Sequence, residues 1–414
     1  MNTRKFVSHI TLGFVMATST LSIPTLVNAA QTSPLGLHTD STPTLSAPLT
    51  PSGNLLAEAG AAILRQGDSG HQAGIVSDIA TTYSYSYGQT ITAVRTAAGT
   101  LKLVGWQVNG NGSVTRTGDS GDQAGQASQI DIAAGRLIVT AVRAANGHLK
   151  LISWSVGSDG NINRRGDSGD QAGTASLVKI MQLHSNIFVT AVRTTEGRLK
   201  LISWQLTSDG ALHRLDDSGN EAGAVSEIAL SGESINNRRH IITSVRDSQG
   251  NLKLIAWEVS PRGVITRRGD SGNQAGNARM VQAAKAGEYT VTSVQTATGD
   301  LKLISWLISQ NPNGSINIAR VDDSGDQAGQ IQGNALLQRP DGAVSAVRTA
   351  SGDLKLIRWQ ITHAGAIART GDSGHQAERA TLINISANHN GGQAPIITAV
   401  RTAQNTLKLI TWDD

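Results

Sequence analysis

Seven near-copies of one unit fill most of this chain. A segment such as Arg-Arg-Gly-Asp-Ser-Gly at 164–169 is followed about thirty residues on by one such as Leu-Lys-Leu-Ile-Ser-Trp at 199–204. The Asp of the Asp-Ser-Gly triplet falls at Asp68, Asp119, Asp167, Asp217, Asp270, Asp323 and Asp372, a spacing of 48 to 53 residues. All seven tryptophans, Trp106, Trp154, Trp204, Trp257, Trp306, Trp359 and Trp412, occupy one position of the unit. A repeat this regular makes each unit a supersecondary block that buries its apolar faces against its neighbours.

Each unit carries four runs of alternating β-branched and apolar residues bounded by Gly, Asn and Ser, which are strand signals. No helical period appears after the first thirty residues, so the fold class is all-β. In Leu149–Trp154 the side chains of Leu149, Leu151 and Ser153 point one way and those of Lys150, Ile152 and Trp154 the other. Both faces are partly apolar, as in a sheet sandwiched between two others. A period near fifty exceeds that of helical solenoids and fits one four-stranded propeller blade.

The chain ends sharpen that reading. Only Asp413 and Asp414 follow Trp412, so the seventh unit lacks its fourth strand, while Ala-Gly-Ala-Ala-Ile-Leu-Arg-Gln at 59–66 matches the Ala-Gly-Ala-Ile-Ala-Arg-Thr stretch at 364–370. An N-terminal strand that completes the last blade closes a ring and leaves no open edge. The expected architecture is a seven-bladed β-propeller of four-stranded blades over residues 57 to 414. On its Asp-Ser-Gly-x-Gln-Ala-Gly, Thr-Ala-Val-Arg and Leu-Lys-Leu-Ile-x-Trp stretches the chain resembles seven-bladed propeller repeat proteins, an architecture rather than one named family. Secreted propeller lectins with one Trp per blade are the nearest functional comparison, and that resemblance implies carbohydrate binding.

Residues 1 to 30 read as a secretory signal: Arg4 and Lys5 open it, a polar-broken apolar stretch spans Ile10 to Val27, and Val27-Asn28-Ala29 is a small-residue cleavage site. Residues 31 to 56, rich in Ser, Thr and Pro, read as a flexible leader. The expected location is secreted or periplasmic, with no membrane insertion and no anchor. With no cysteine anywhere, disulfides and cysteine metal sites are impossible. Without Arg4 and Lys5 the formal charge of +4 becomes +2, and most of the remaining Lys and Arg recur at fixed blade positions. The basic pI of about 9.4 is therefore a property of the blade and not a nucleic-acid footprint.

An Arg stands three residues before every triplet Asp, at Arg65, Arg116, Arg164, Arg214, Arg267, Arg320 and Arg369. Sevenfold recurrence marks a fold constraint: the Asp is expected to cap the following turn, and the Arg, with the Lys of each Leu-Lys-Leu, to bond from blade to blade. The Gly-Asp-Ser-Gly string also surrounds the nucleophile of chymotrypsin-like proteases, but seven copies without companion His and Asp positions argue against acyl transfer. His71 and His375 follow the triplet in only two units. No catalytic residues, cofactor motif or metal-ligand spacing stand out.

Two outcomes are open for the tryptophans: core between blades, or exposed stacking platforms for sugar rings. Function that is not sevenfold belongs where units differ. The connection between first and second strands is long at 81–88, 231–240 and 386–395. The first and last of these meet on closure, where Tyr83, Tyr85 and Tyr87, sharing one strand face, and His389 and Asn390 are expected to line a groove. The sequence thus reads as an exported, monomeric, non-enzymatic binding protein, carbohydrate-directed and multivalent, with the seven Trp and this groove as candidate sites and a glycan or cell-surface ligand as partner. The alternatives are a hydrolase or lyase with its site at the central channel, or a protein-docking scaffold.

Overall fold

The computed structural model describes residues 62–387 and 394–414, and every regular element among them is a β-strand. The signal, the leader, His389 and Asn390 lie outside the described residues. The strands form seven four-stranded antiparallel sheets. Blade 1 comprises Val76–Ser84, Gln89–Thr96, Leu101–Val108 and Val114–Asp119, each strand hydrogen-bonded to the next in sequence. The first strand of each blade lines the central channel. For blades 2 to 7 these inner strands are Ala127–Ala134, Ala175–Gln182, Val225–Ile235, Arg279–Ala286, Ile331–Arg339 and Ala380–Ala387.

Closure follows the split predicted from the chain ends. Leu64–Asp68 pairs antiparallel with Leu407–Asp413, in a register that sets Leu64 against Asp413 and Asp68 against Ile410. Ile63, fully buried, enters the core between blades 6 and 7. Gln376 of blade 6 holds the closing strand as its amide accepts from the Arg65 backbone and donates to the Ile63 carbonyl, both at 2.9 Å.

The core is seven clusters, one per junction, rather than one mass. Between blades 2 and 3, Ile202 and Trp204 of the third strand of blade 3 pack on Val139, Ala141, Leu149 and Leu151 of blade 2. The same arrangement recurs round to the closing junction, where Val104 and Trp106 of blade 1 meet Ile397, Ala399, Leu407 and Leu409 of blade 7. This explains the double-faced Leu-Lys-Leu-Ile-x-Trp strand: the leucines face the following blade, and Ile and Trp face the preceding one. Adjacent blades touch so closely that a Cβ at Gly118 would collide with the Gly160 carbonyl of the next blade.

Two of the three long connections are extended strands rather than loops. Residues 81–84 continue the inner strand of blade 1, and Val225–Ile235 runs into Arg238–Asp247 through a two-residue turn at Asn236 and Asn237, both left-handed with φ of 49° and 61°. Asn tolerates that conformation, which makes a tight hairpin without glycine.

The closing strand generates a test. Deleting residues 31–56 leaves Ile63 and Leu64–Asp68 in place, and the melting temperature should hardly change. Deleting 31–66 exposes an edge of blade 7 and half-empties a junction, and should lower it steeply; equal melting temperatures by calorimetry would refute closure by this strand.

Candidate functional site

All seven indoles are 0–1% exposed. Six donate from Nε1 to a hydroxyl of the second strand at 2.9–3.1 Å: Trp154 to Thr140, Trp204 to Thr190, Trp257 to Thr243, Trp306 to Thr292, Trp359 to Ser345 and Trp412 to Thr398. In these six blades the Thr or Ser at this position of the second strand is thus the acceptor that lets a tryptophan be buried, while Trp106 of blade 1 has no such partner. No indole face is open to a sugar ring, so the stacking role expected at Trp106, Trp154, Trp204, Trp257, Trp306, Trp359 and Trp412 is corrected to core packing.

The triplet builds a clamp. Asp119 Oδ1 accepts from the Gly121 backbone at 2.6 Å, Oδ2 accepts from Arg116, and Lys102 stands 3.8 Å away. The same Arg-to-Asp bond recurs in all seven blades. The Arg also reaches across the junction: Arg164 donates to the Gln123 carbonyl of blade 1 at 3.1 Å, and its backbone donates to the Gln123 amide oxygen at 2.8 Å. Glu221 replaces Gln before blade 4, and Arg267 still donates to its carbonyl. One expectation changes: in six blades the Lys pairs with the Asp of its own blade, and only Lys408 of blade 7 reaches outward, to Glu378 in the connection from blade 6 at 3.8 Å.

The triplet serine is 0–5% exposed in every blade, and its hydroxyl accepts from the first Leu amide that follows the Lys, as Ser168 does from Leu151 at 3.1 Å. It extends strand pairing and presents no nucleophile. Nor are the Arg-Gly-Asp-Ser strings at 165–168 and 268–271 free loops, since Asp167 and Asp270 are held by Arg164 and Arg267. His71 and His375 are exposed.

The central channel is a cavity of about 320 Å³ lined by the inner strands of all seven blades. Every inner strand is bulged near this level, as between Val76 and Asp78 or Ala175 and Leu177. The channel carboxylates tie adjacent strands together: Asp78 accepts from the Ile130 amide at 3.1 Å, Asp131 from Ile180 at 2.8 Å and Glu227 from Val281 at 2.8 Å. Burial pushes the Asp78 and Asp131 carboxyls above their usual range, against these bonds and the charge of Lys179. No group of three or more acidic or His side chains suited to a metal ion occurs among the described residues.

At the junction of blades 7 and 1 the tyrosines part company. The strand ends at Ser84 and turns at Gly88, whose φ is 64°. Tyr83 is buried, Tyr87 packs on the cluster between blades 1 and 2, and Tyr85 is 69% exposed. The expected single face for Tyr83, Tyr85 and Tyr87 is therefore corrected: the turn sends them in different directions, leaving Tyr83 and Tyr85 in an edge-to-face pair at 5.3 Å. Tyr85 is the one strongly exposed aromatic ring among the described residues.

Pockets of similar volume sit between blades. One of about 320 Å³ between blades 1 and 2 has Leu101, Val142 and Ile152 as floor and Gln126, Asn146 and Asp170 at its rim. Another of about 340 Å³ occupies the equivalent place between blades 4 and 5, with Asn277, Arg279 and Thr298.

Compared by sequence, the chain matches no protein-family model and no curated protein. Among solved structures it is similar to the crystal structure of the Myceliophteria thermophila Cps50 (Swd1) beta-propeller domain, with 11% identity and a TM-score of 0.49, over 82% of this chain and 99% of that one. The propeller assignment rests on the strand pairing itself. No helix among the described residues is long and apolar enough to cross a membrane.

Burial opposes ionisation of the triplet aspartates, but the Gly amide, Lys and Arg outweigh it and hold Asp68, Asp119, Asp167, Asp270, Asp323 and Asp372 below the usual range. A lowered carboxyl contributes stability above its unfolded pKa of about 3.9 that is lost as pH falls through the folded value. Asp78 and Asp131 act oppositely, because protonating them relieves a buried charge. The melting temperature should hold or rise slightly as pH falls from 7 towards about 4.5, then drop steeply below about 4. A steady decline from neutrality would contradict these assignments. Iodide should quench the tryptophans of the folded protein very little compared with the urea-unfolded chain.

Proposed function

We propose that the protein is an exported, non-enzymatic binding module that takes carbohydrate in the pockets between its blades. The observation that carries this reading is the pocket between blades 1 and 2, with its aliphatic floor and its amide and charged rim, together with a second hollow at the equivalent place between blades 4 and 5, lined there by Asn277, Arg279, Gln295, Thr296 and Thr298 with only alanines as apolar surface. Aliphatic side chains suit the C–H face of a sugar, and Gln126, Asn146 and Asp170 offer donors and acceptors to its hydroxyls. Such a site is shallow and weak alone. Repeated around a rigid ring, it gains strength on a surface that displays many copies of the ligand.

The channel supports the non-enzymatic side of this reading, since its carboxylates are engaged by backbone amides of the neighbouring blades. A glycan array probed with the mature chain should give hits. Binding to an immobilised hit should exceed binding of the free sugar by roughly 10²–10⁴ through linked weak sites. Replacing both Gln126 and Asn146 by Ala should weaken surface binding only partly. A blank array, or equal affinity for free and immobilised sugar, would overturn the proposal.

A further inference from the structure

One layer of the ring departs from its sevenfold pattern in a way that costs stability. Opposite each Trp on the second strand stands an apolar residue in five blades: Ile138, Phe188, Ile241, Ala343 and Ile396. Blades 1 and 5 carry Thr90 and Thr290 instead. In blade 5 the threonine is paired, although Ser231 of blade 4, at the place of Ser386, keeps a buried hydroxyl without a partner. Thr290 donates at 2.6 Å to Glu233 of blade 4, which also takes Lys285 Nζ. In blade 1 the threonine is not paired: Thr90 Oγ1, 1% exposed, has no hydrogen-bond partner among the described residues. Trp106 Nε1 beside it is the only one of the seven indole N–H groups left unpaired, and Thr92 Oγ1, at the position of the usual acceptor, pairs with Thr81. Across the junction, Ser386 of blade 7 is buried with its hydroxyl also unpaired.

Register puts these groups in one layer. Tyr83 is paired with Thr90 and Thr90 with Trp106, so all three share the face turned to blade 7. Ser386 is paired with Ile397, which lies on the face turned to blade 1. Asn384, two residues before Ser386, accepts from the Thr81 amide, two residues before Tyr83, which sets Ser386 near Tyr83. Three enclosed donors therefore meet next to the edge-to-face pair of Tyr83 and the exposed Tyr85.

We infer that the junction of blades 7 and 1 is a further binding site, distinct from the repeated pockets, for a single pyranose unit. The sugar lays its C–H face on Tyr85 and lodges a hydroxyl between the blades, where it accepts from Trp106 Nε1 and Thr90 and donates to Ser386 Oγ. Unpaired buried donors are unfavourable in the free protein and are satisfied only when an acceptor arrives. The choice of a sugar rests on the carbohydrate reading above; the existence of the site rests on the unpaired layer.

The test uses the mature chain and Thr90→Val, Ser386→Ala and Tyr85→Ala variants, with Thr290→Val as the control at a threonine whose hydroxyl is paired. Free glucose, galactose, mannose and N-acetylglucosamine are the probes, read by melting temperature and titration calorimetry. The inference expects one of them to raise the melting temperature of the parent chain at one site per chain. Thr90→Val should then melt higher than the parent without sugar and lose at least tenfold in affinity, and Tyr85→Ala should also lose affinity, while Thr290→Val melts lower. If no probe binds, if binding survives both Thr90→Val and Tyr85→Ala, or if Thr90→Val melts lower than the parent, the inference is overturned. A positive glycan array alongside such a result leaves the inter-blade reading standing, whereas a blank array removes both.

Discussion

Each junction of the ring is made by a tryptophan and its Ile neighbour laid against a Leu-x-Leu run of the blade before. Trp204 on Leu149 and Leu151 is one instance, and Trp106 on Leu407 and Leu409 is the one that shuts the ring. Large-to-small changes at buried aromatic positions cost about 3–5 kcal/mol, so seven such contacts outweigh any surface ion pair here. The indole N–H needs an acceptor once it leaves water, and the Thr of Thr-Ala-Val-Arg supplies it in most blades. Two of the repeated motifs are thus two halves of one interaction.

The third motif fastens the outer rim. Arg164 ties Asp167 of its own blade to the Gln123 backbone of the blade before, and Ser168 continues the pairing of the third strand. The Arg and Asp bonds are half-exposed and modest alone, whereas the Ser168 bond is buried. Their value lies in geometry, because they fix the angle between neighbouring sheets while the tryptophans supply the burial. With Arg, Asp, Ser, Gln, Thr and Trp all engaged in this way, little that repeats sevenfold is left to recognise a ligand directly. What remains is the space between blades and the places where one blade departs from the rest.

The departures are physically informative. Glu233, Lys285 and Thr290 show that the layer beside the tryptophans accepts polar residues when they satisfy one another. Thr90, Trp106 and Ser386 occupy the corresponding layer at the closing junction without doing so. At that junction the inner strand of blade 1 is also extended and the exposed tyrosine sits.

Architecture was legible in the sequence because it rests on periodicity. The spacing of Asp-Ser-Gly and Trp fixes the number of blades, alternation fixes the strands, and the mismatch of the chain ends fixes how the ring closes, all of which depend on local residue order alone. The Arg and Asp pair could also be read as structural, since a site needs one residue where a fold needs seven. Only the tertiary structure decided which way the tryptophans face, because an aromatic at one register of a two-faced strand satisfies the same pattern whether it meets a neighbouring blade or solvent. It also decided that Lys102 stays within its blade, that Tyr83, Tyr85 and Tyr87 diverge at a turn, and that Trp106 lacks the partner its six counterparts have. Those facts depend on contacts between residues up to the whole chain apart, and no spacing along the sequence encodes them.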